Sequence, residues 1–254
     1  SLLDVGVAPE AIAPETLGRV PGEAFRKELT LTVSAGSGDA ISVNNTVVES
    51  GSSIKVDTSF PIDITVSDAI ANKSVDQLRA LREVGLNEIS LGVESGDDWT
   101  LQRINKGYTA QDILVQCHKL EEAGIAYWVT FLNGVAGREH SHDHAVHSAE
   151  VFNQCHPMLV GTGGLTLFPG TPLLDEAQRG EFAPLTEREM IEELLTFVQT
   201  LSCDCLFTTH HTSSLNLTGP FLPRKQQIIE ALQHAIDHAD MDVLAARRAS
   251  KRGL

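Results

Sequence analysis

Three short segments carry the residues best suited to chemistry, and each follows an apolar run. Gly92-Val-Glu94-Ser95-Gly96-Asp97-Asp98 brings a carboxylate and a hydroxyl out of an alternating run just ahead of a helix start. A carboxylate so placed can accept both hydroxyls of a ribose. Equally, Ser95 or Asp97 can cap the helix while Glu94 stands in water. In Leu132-Asn-Gly134-Val-Ala-Gly137-Arg-Glu139, two glycines let the backbone approach a planar ligand and the charges after them can close over it; a plain surface loop has the same composition. The third segment, Gly161-Thr-Gly-Gly164-Leu-Thr-Leu167-Phe168-Pro-Gly170, is glycine-rich at its start. Its glycines do not open a helix, as a dinucleotide fingerprint requires, and it lacks the lysine of a phosphate loop, so phosphate cradling has poor support.

A histidine run, His140-Ser-His142-Asp-His144-Ala-Val-His147, places His140, His144 and His147 on one helical face. His144 and His147 could share a metal ion through their imidazole nitrogens, which makes a zinc-dependent hydrolase one reading of the chain. No carboxylate at fixed spacing completes a three-ligand set, and polar residues at a helix start are commonly solvated. The four cysteines, Cys117, Cys155, Cys203 and Cys205, are too few and too irregular for a disulfide framework, so reduced, partly buried thiols are expected. Cys203-Asp-Cys205 lacks the second pair that a zinc site needs. His210-His211, with Thr208, Thr209 and Thr212, comes after a short apolar strand and would either face a ligand mouth or lie in a solvated loop. Trp99 and Trp128 are read as packing residues.

Periodicity supplies the framework that holds these residues. Residues 1–28 form a weakly periodic lead-in segment with no function assigned. Residues 29–68 are β-rich: 29–33, 41–43, 46–48, 54–56 and 62–66 mostly alternate apolar with polar residues between Gly, Ser and Asn turns. From residue 69 to 254 the rhythm becomes strand–helix. Ser74-Val-Asp-Gln77 is a capping-box pattern opening a helix that ends at Gly85; 87–94 alternates as a strand; Thr109-Ala-Gln-Asp112 opens a second helix that ends at Gly124. A strand over 125–132, a helix around 142–154, an apolar strand around 158–168 and a helix opened by Thr186-Glu-Arg-Glu189 continue the alternation. Ile228, Leu232, Ala235 and Ile236 stripe a last amphipathic helix, beyond which the basic tail is expected to fray. The fold class is α/β with a parallel sheet, whose ligands sit beyond the carboxyl ends of the strands.

Residues 87–109, NEISLGVESGDDWTLQRINKGYT, with GIAYWVTFLNGVAG (124–137), EVFNQCHP (150–157), LTLFPGTPLL (165–174) and LPRKQQIIEAL (222–232), resemble the second half of a radical S-adenosylmethionine (SAM) barrel. The likeness spans residues ~70–240, roughly two-thirds of the chain, and is strongest to a small group of single-domain members. It implies a partial (β/α)6, TIM-barrel-like fold preceded by the short β-rich segment. By resemblance, Glu94 and Ser95 would contact the SAM ribose, Gly134, Gly137 and Glu139 would lie by the adenine, and Leu167 would offer backbone to the same ring. The family's chemistry is reductive cleavage of SAM by a [4Fe–4S] cluster to a 5′-deoxyadenosyl radical. This sequence departs from the family in lacking the CxxxCxxC motif that holds the cluster, and residues 1–68 lack the Gly-Gly-Glu segment that holds the methionine amine. The competing reading is a non-catalytic binding or interaction protein built on a degenerate barrel.

Composition narrows the partners. A formal charge of −15, from 34 acidic against 19 basic residues, repels a phosphate backbone, so nucleic acid is not expected as a ligand. No apolar run approaches the ~20 residues of a membrane helix, and the N-terminal residues lack the basic flank of a signal peptide, so no membrane partner and a cytoplasmic location are expected. An incomplete barrel exposes strand edges and apolar faces, so self-association, or a partner chain completing the barrel, is expected as well.

Overall fold

A computed structural model describes residues 28–33, 41–43, 46–48, 52–57, 64–66, 71–83, 85–209, 213 and 215–250. The chain divides into two units, residues 1–74 and 75–254. In the first, the alternating runs form short antiparallel strands. β1 (Glu28–Val33) pairs with β4 (Ser52–Asp57), and β2 (Ile41–Val43) lies between β3 (Thr46–Val48) and β5 (Ile64–Val66).

The second unit is α/β. Its sheet runs β10-β9-β8-β7-β6, with β6 (Glu88–Glu94), β7 (Ala126–Asn133), β8 (Leu159–Gly164) and β9 (Leu206–Thr209) parallel and in chain order, and β10 (Thr218–Pro220) antiparallel at the edge. Parallel neighbours in chain order require a crossover at each step, and helices supply them. α1 (Val75–Glu83) precedes β6; α2 (Asp98–Arg103) and α3 (Ala110–Ala123) link β6 to β7; α4 (Ser141–Phe152) links β7 to β8; α5 (Pro172–Arg179) and α6 (Glu187–Thr200) link β8 to β9. α7 (Phe221–His238) and α8 (Met241–Ser250) close the chain, so helix reaches the first residues of the tail expected to fray. Residues 210–212, which hold the second histidine pair, fall outside the described residues.

Local chemistry sets the helix boundaries. Thr109 with Asp112, and Thr186 with Glu189, each form a reciprocal capping box, and Gly124 ends α3 in the left-handed conformation. β8 is shorter than the apolar run 158–168 suggests. Its ladder partner β7 ends at Asn133, paired with Gly164, and the chain then turns at Gly134 with φ 87°, so residues 165–168 have no strand to pair with. Pro172 and Gly180 bracket α5 in the N-terminal Pro, C-terminal Gly pattern.

Alternation along the strands sorts the two sheet faces. Tyr127, Val129, Phe131 and Asn133 are buried against the helix layer, whereas Trp128, Thr130 and Leu132 are half-buried on the other face. Trp128 aligns across the sheet with Leu159 and Leu206, the last of them exposed. Phe131 is the centre of the core, sandwiched between His144 at 4.6 Å and Phe197 at 4.1 Å, with Phe152 edge-on to Phe197 at 5.9 Å. α4 packs closest at Gly96, where an added Cβ would stand 2.7 Å from the Ser148 Cα and 2.9 Å from the Val151 Cβ. Backbone cannot yield there as a side-chain tip can. Gly96→Ala is therefore expected to destabilise the fold by about 1–3 kcal/mol, read by urea denaturation, while an unchanged midpoint would contradict the close packing.

Candidate functional site

The carboxyl ends of β6, β7 and β8 lie side by side along one edge of the sheet, the mouth, and the candidate residues follow them. β6 reaches it through an irregularity: between Leu91 and Glu94 two residues oppose one of β7, a bulge that re-aims the strand end. Glu94 comes next with φ 66°, a left-handed backbone that costs a non-glycine residue about 1–2 kcal/mol. Its carboxylate is neither buried nor fully solvated, with 26% of the side chain exposed, and it lies 3.7 Å from the Lys106 Nζ. Lys106 Nζ and Tyr108 Oη also donate to the Gly92 carbonyl, at 2.9 and 3.1 Å.

The next residues turn inward. Ser95 is fully buried, and its hydroxyl has two partners: it accepts from the Asp97 N–H at 3.0 Å and lies 2.9 Å from His144 Nδ1. His144 Nε2 lies 3.2 Å from the Leu132 carbonyl, which can only accept. Nε2 therefore carries the proton, Nδ1 is an acceptor, and the Ser95 hydroxyl donates to it. A single relay thus joins the end of β6 to the end of β7 through a neutral imidazole on α4. Ser95 and His144 resemble a nucleophile and its base, but both have zero exposure, so no substrate reaches them.

Two further histidines meet the same turn. His147 Nδ1 pairs with Asp97 Oδ1 at 2.7 Å, and the other Asp97 oxygen caps α2 by accepting from the Thr100 N–H and hydroxyl. Burial opposes ionisation of Asp97, but hydrogen bonds from His147 and Thr100 outweigh it and lower its pKa; the bond to Asp97 raises that of His147. His140 stacks on Trp99 at 3.5 Å. Residues 95, 97 and 99 thus each meet one histidine of the run. This corrects the metal reading of His140–His147. Each of the three imidazoles that share a face has a protein partner, and among the described residues no group of three or more His, Cys, Asp or Glu side chains is arranged to hold a metal ion. Trp99, 41% exposed, is a stacking platform after all, for a histidine of the same chain.

Behind β7 sits a second buried ionisable group. Glu193 Oε1 accepts from the Gly134 N–H at 2.6 Å and lies 3.8 Å from His144 Nε2. Burial raises the Glu193 carboxyl to about 7 against the lowering effect of hydrogen bonds from Ser141 and Gly134, and burial lowers His144 to about 4. Both shifts favour the neutral pair.

Beyond β7 and β8 lies a cavity of about 290 Å³, walled by Gly134, Leu165, Leu167, Leu174, Pro184, Leu185 and Met190. That volume is at the low end of ligand pockets and suits a single ring system. Gly134 cannot be replaced without moving this wall, since a Cβ there would meet the Met190 Sδ at 2.6 Å. Of the residues singled out from sequence, Gly134 and Leu167 line the cavity; Gly137 is buried against Phe182; Glu139 is exposed on a 3-10 turn (Arg138–His140); Glu94 stands at the neighbouring strand end; and Ser95 is turned away into the core. Asn133 and Glu193 were not singled out. The visible signals were an Asn closing an apolar strand and a Glu three residues after Met190 and four before Phe197 on α6.

The cysteines lie at the other end of the sheet. Cys155 precedes β8 and is hydrogen-bonded to Cys117 on α3 beside Tyr127; Cys203 and Cys205, 3.4 Å apart, precede β9. The partner thiol and burial raise the pKa of Cys155 and of Cys205. Two buried thiol pairs distant from the mouth do not fit a [4Fe–4S] cluster, which needs three thiolates there.

No protein-family model matches this chain, and no curated protein matches it. Among solved structures, it is similar to the archaeal Methanocaldococcus infernus Elp3 with an N-terminal deletion, at 16% identity and a TM-score of 0.46. The match covers 62% of this chain and spans 38% of that one. At that score the likeness carries no functional argument.

The Glu193 shift sets a pH dependence. Its folded pKa of about 7 lies above the ordinary 4.5, so the folded state holds the proton more tightly and stability falls as pH rises from about 4.5 to about 7. Glu193→Gln keeps an acceptor for Gly134 without the ionisation. It is expected to be more stable than the parent by about 1–3 kcal/mol at pH 8, the gap closing towards pH 5, in thermal denaturation. A gap constant across that range would contradict the assignment.

Proposed function

We propose that the mouth at the ends of β6, β7 and β8 is a small-molecule site and that SAM is its ligand, as the resemblance of residues 87–109 implies. The observation that carries this reading is Glu94. A bulge and a left-handed backbone at a non-glycine residue present its carboxylate at the end of a parallel strand. Strain of this kind persists where surrounding structure enforces it, and it gathers at ligand sites. In this reading Glu94 accepts the ribose hydroxyls, and the Gly134–Gly137 loop and Leu167 lie along the ring. Ser95 holds the turn without touching the ligand. No contact is assigned to Glu139. Because the cysteines do not fit the cluster, radical chemistry is not ascribed to this chain alone; a cluster would have to come from a partner.

Isothermal calorimetry with SAM tests the reading. Micromolar binding is expected, weakened roughly 10–100-fold in Glu94→Ala through loss of charge-assisted hydrogen bonds. Absence of heat in the parent protein would contradict it.

We also propose self-association through the sheet face opposite the helices, because Trp128, Leu159 and the exposed Leu206 align on it and parallel sheets are ordinarily covered on both faces. Light scattering is expected to report a dimer or larger species. A monomer at micromolar concentration would count against this.

A further inference from the structure

We propose that Cys203 and Cys205 form a redox-active dithiol, a modification site that closes reversibly to an intramolecular disulfide by exchange with a small-molecule disulfide such as oxidised glutathione. The pair lies at the end of the sheet opposite the mouth, and the inference is independent of the small-molecule reading above.

Cys203 and Cys205 occupy the short segment between α6 and β9, with their Sγ atoms 3.4 Å apart. Residues two apart in an extended chain send their side chains to one side, and their Cα atoms are at most about 7 Å apart, the outer edge of the span a disulfide bridges. Hydrogen bonds hold the backbone on either side of the pair. Lys225 Nζ donates to the Gln199 and Leu201 carbonyls at 2.8 and 2.6 Å. Asn153 Oδ1 accepts from the Ser202 N–H at 2.6 Å, its Nδ2 donates to the Thr200 carbonyl at 3.0 Å, and the Phe221 N–H donates to the Cys205 carbonyl at 2.8 Å. A backbone fixed in this way keeps the two sulfurs at high effective concentration, so that closure of the pair is an intramolecular step with little entropy left to lose.

Access separates this pair from the other one. Ser202 and Asp204, the neighbours of Cys203, are exposed, and Cys203 and Cys205 each keep 7% exposure, whereas Cys117 and Cys155 keep 0% and 2%. A hydrogen bond from Cys205 lowers the pKa of Cys203 against burial and the charge of Asp204, so Cys203 supplies the attacking thiolate. Its sulfur bonds to one sulfur of oxidised glutathione, whose S–S bond breaks, and the first glutathione leaves with the proton that Cys203 gave up. Cys205 then gives up its proton and attacks the Cys203 sulfur; the mixed disulfide breaks, and the second glutathione leaves as a thiol. Two protein thiols are oxidised and one glutathione disulfide is reduced to two thiols. A disulfide in so small a ring is strained, and strain makes it easy to reduce, which suits a reversible couple better than a structural bridge.

The test incubates the full chain in buffers of increasing oxidised-to-reduced glutathione ratio, quenches with acid, alkylates the remaining thiols in denaturant and reads the peptides by mass spectrometry. In the parent protein the peptide spanning Cys203 and Cys205 is expected to pass from doubly alkylated to unalkylated, lighter by two hydrogen atoms than the dithiol and carrying no glutathione. Return to reduced glutathione should restore both thiols. Cys117 and Cys155 are expected to lose alkylation roughly 10-fold more slowly, because thiol exchange follows access as well as thiolate character. In Cys205→Ser the first step has no second thiol to resolve it, so Cys203 should retain glutathione as a mixed disulfide. Full alkylation of the parent at the most oxidising ratio overturns the proposal without recourse to the variant. So does glutathione retained on the parent peptide, a bridge that reduced glutathione does not open, or oxidation of Cys117 and Cys155 ahead of this pair.

Discussion

The architecture of the mouth depends on one neutral imidazole. His144 sits at zero exposure between the Ser95 hydroxyl and the Leu132 carbonyl, with Phe131 stacked on its face. Burial disfavours its charged form, and each ring nitrogen has a partner of the right polarity, so the ring ties the end of β6 to the end of β7 without a buried charge. His147 on Asp97 and His140 on Trp99 extend the same seam outward. The turn after β6 is thereby fixed against α4: Ser95 and Asp97 point inward, and Glu94, immediately before them, is left at the mouth in a strained backbone. The strain at Glu94 is held by the hydrogen bonds of its neighbours, which are over-determined where Glu94 itself is not.

Much of the fold was legible because local chemistry and tertiary structure agree. The capping residues Thr109 and Thr186 and the left-handed Gly124 stand where the boundaries fall. Alternation marked β6 and β7, and the short runs of residues 29–68 marked the small strands. β8 stops short of its apolar run because strand length depends on a partner, and nothing within 158–168 announces that β7 stops at Asn133. The strand order, and with it the mouth between neighbouring strand ends, is consistent with the repeated helix–glycine–strand joints.

The site was less legible, for a physical reason. Histidines at helical spacing look alike whether they face a metal or a hydrogen-bonding turn, and only the tertiary neighbours Ser95, Asp97 and Trp99 decide between the two. The place of Ser95 at the strand end is visible in sequence, whereas the direction in which the strained Glu94 sends it is not. Asn133 and Glu193 are ordinary polar residues in sequence. Their interest lies in burial and in their neighbours, a carbonyl that fixes an amide and a backbone N–H that meets a carboxyl.

The neutral relay can be observed directly by nitrogen-15 NMR of the histidine side chains across pH 5–8. For His144 the expected result is a single tautomer protonated at Nε2, with Nδ1 an unprotonated acceptor and no titration above pH 5, in keeping with its pKa of about 4. A His144 ring that titrates near its ordinary pKa of 6.5, or that carries its proton on Nδ1, would contradict the clamp on which the mouth is built.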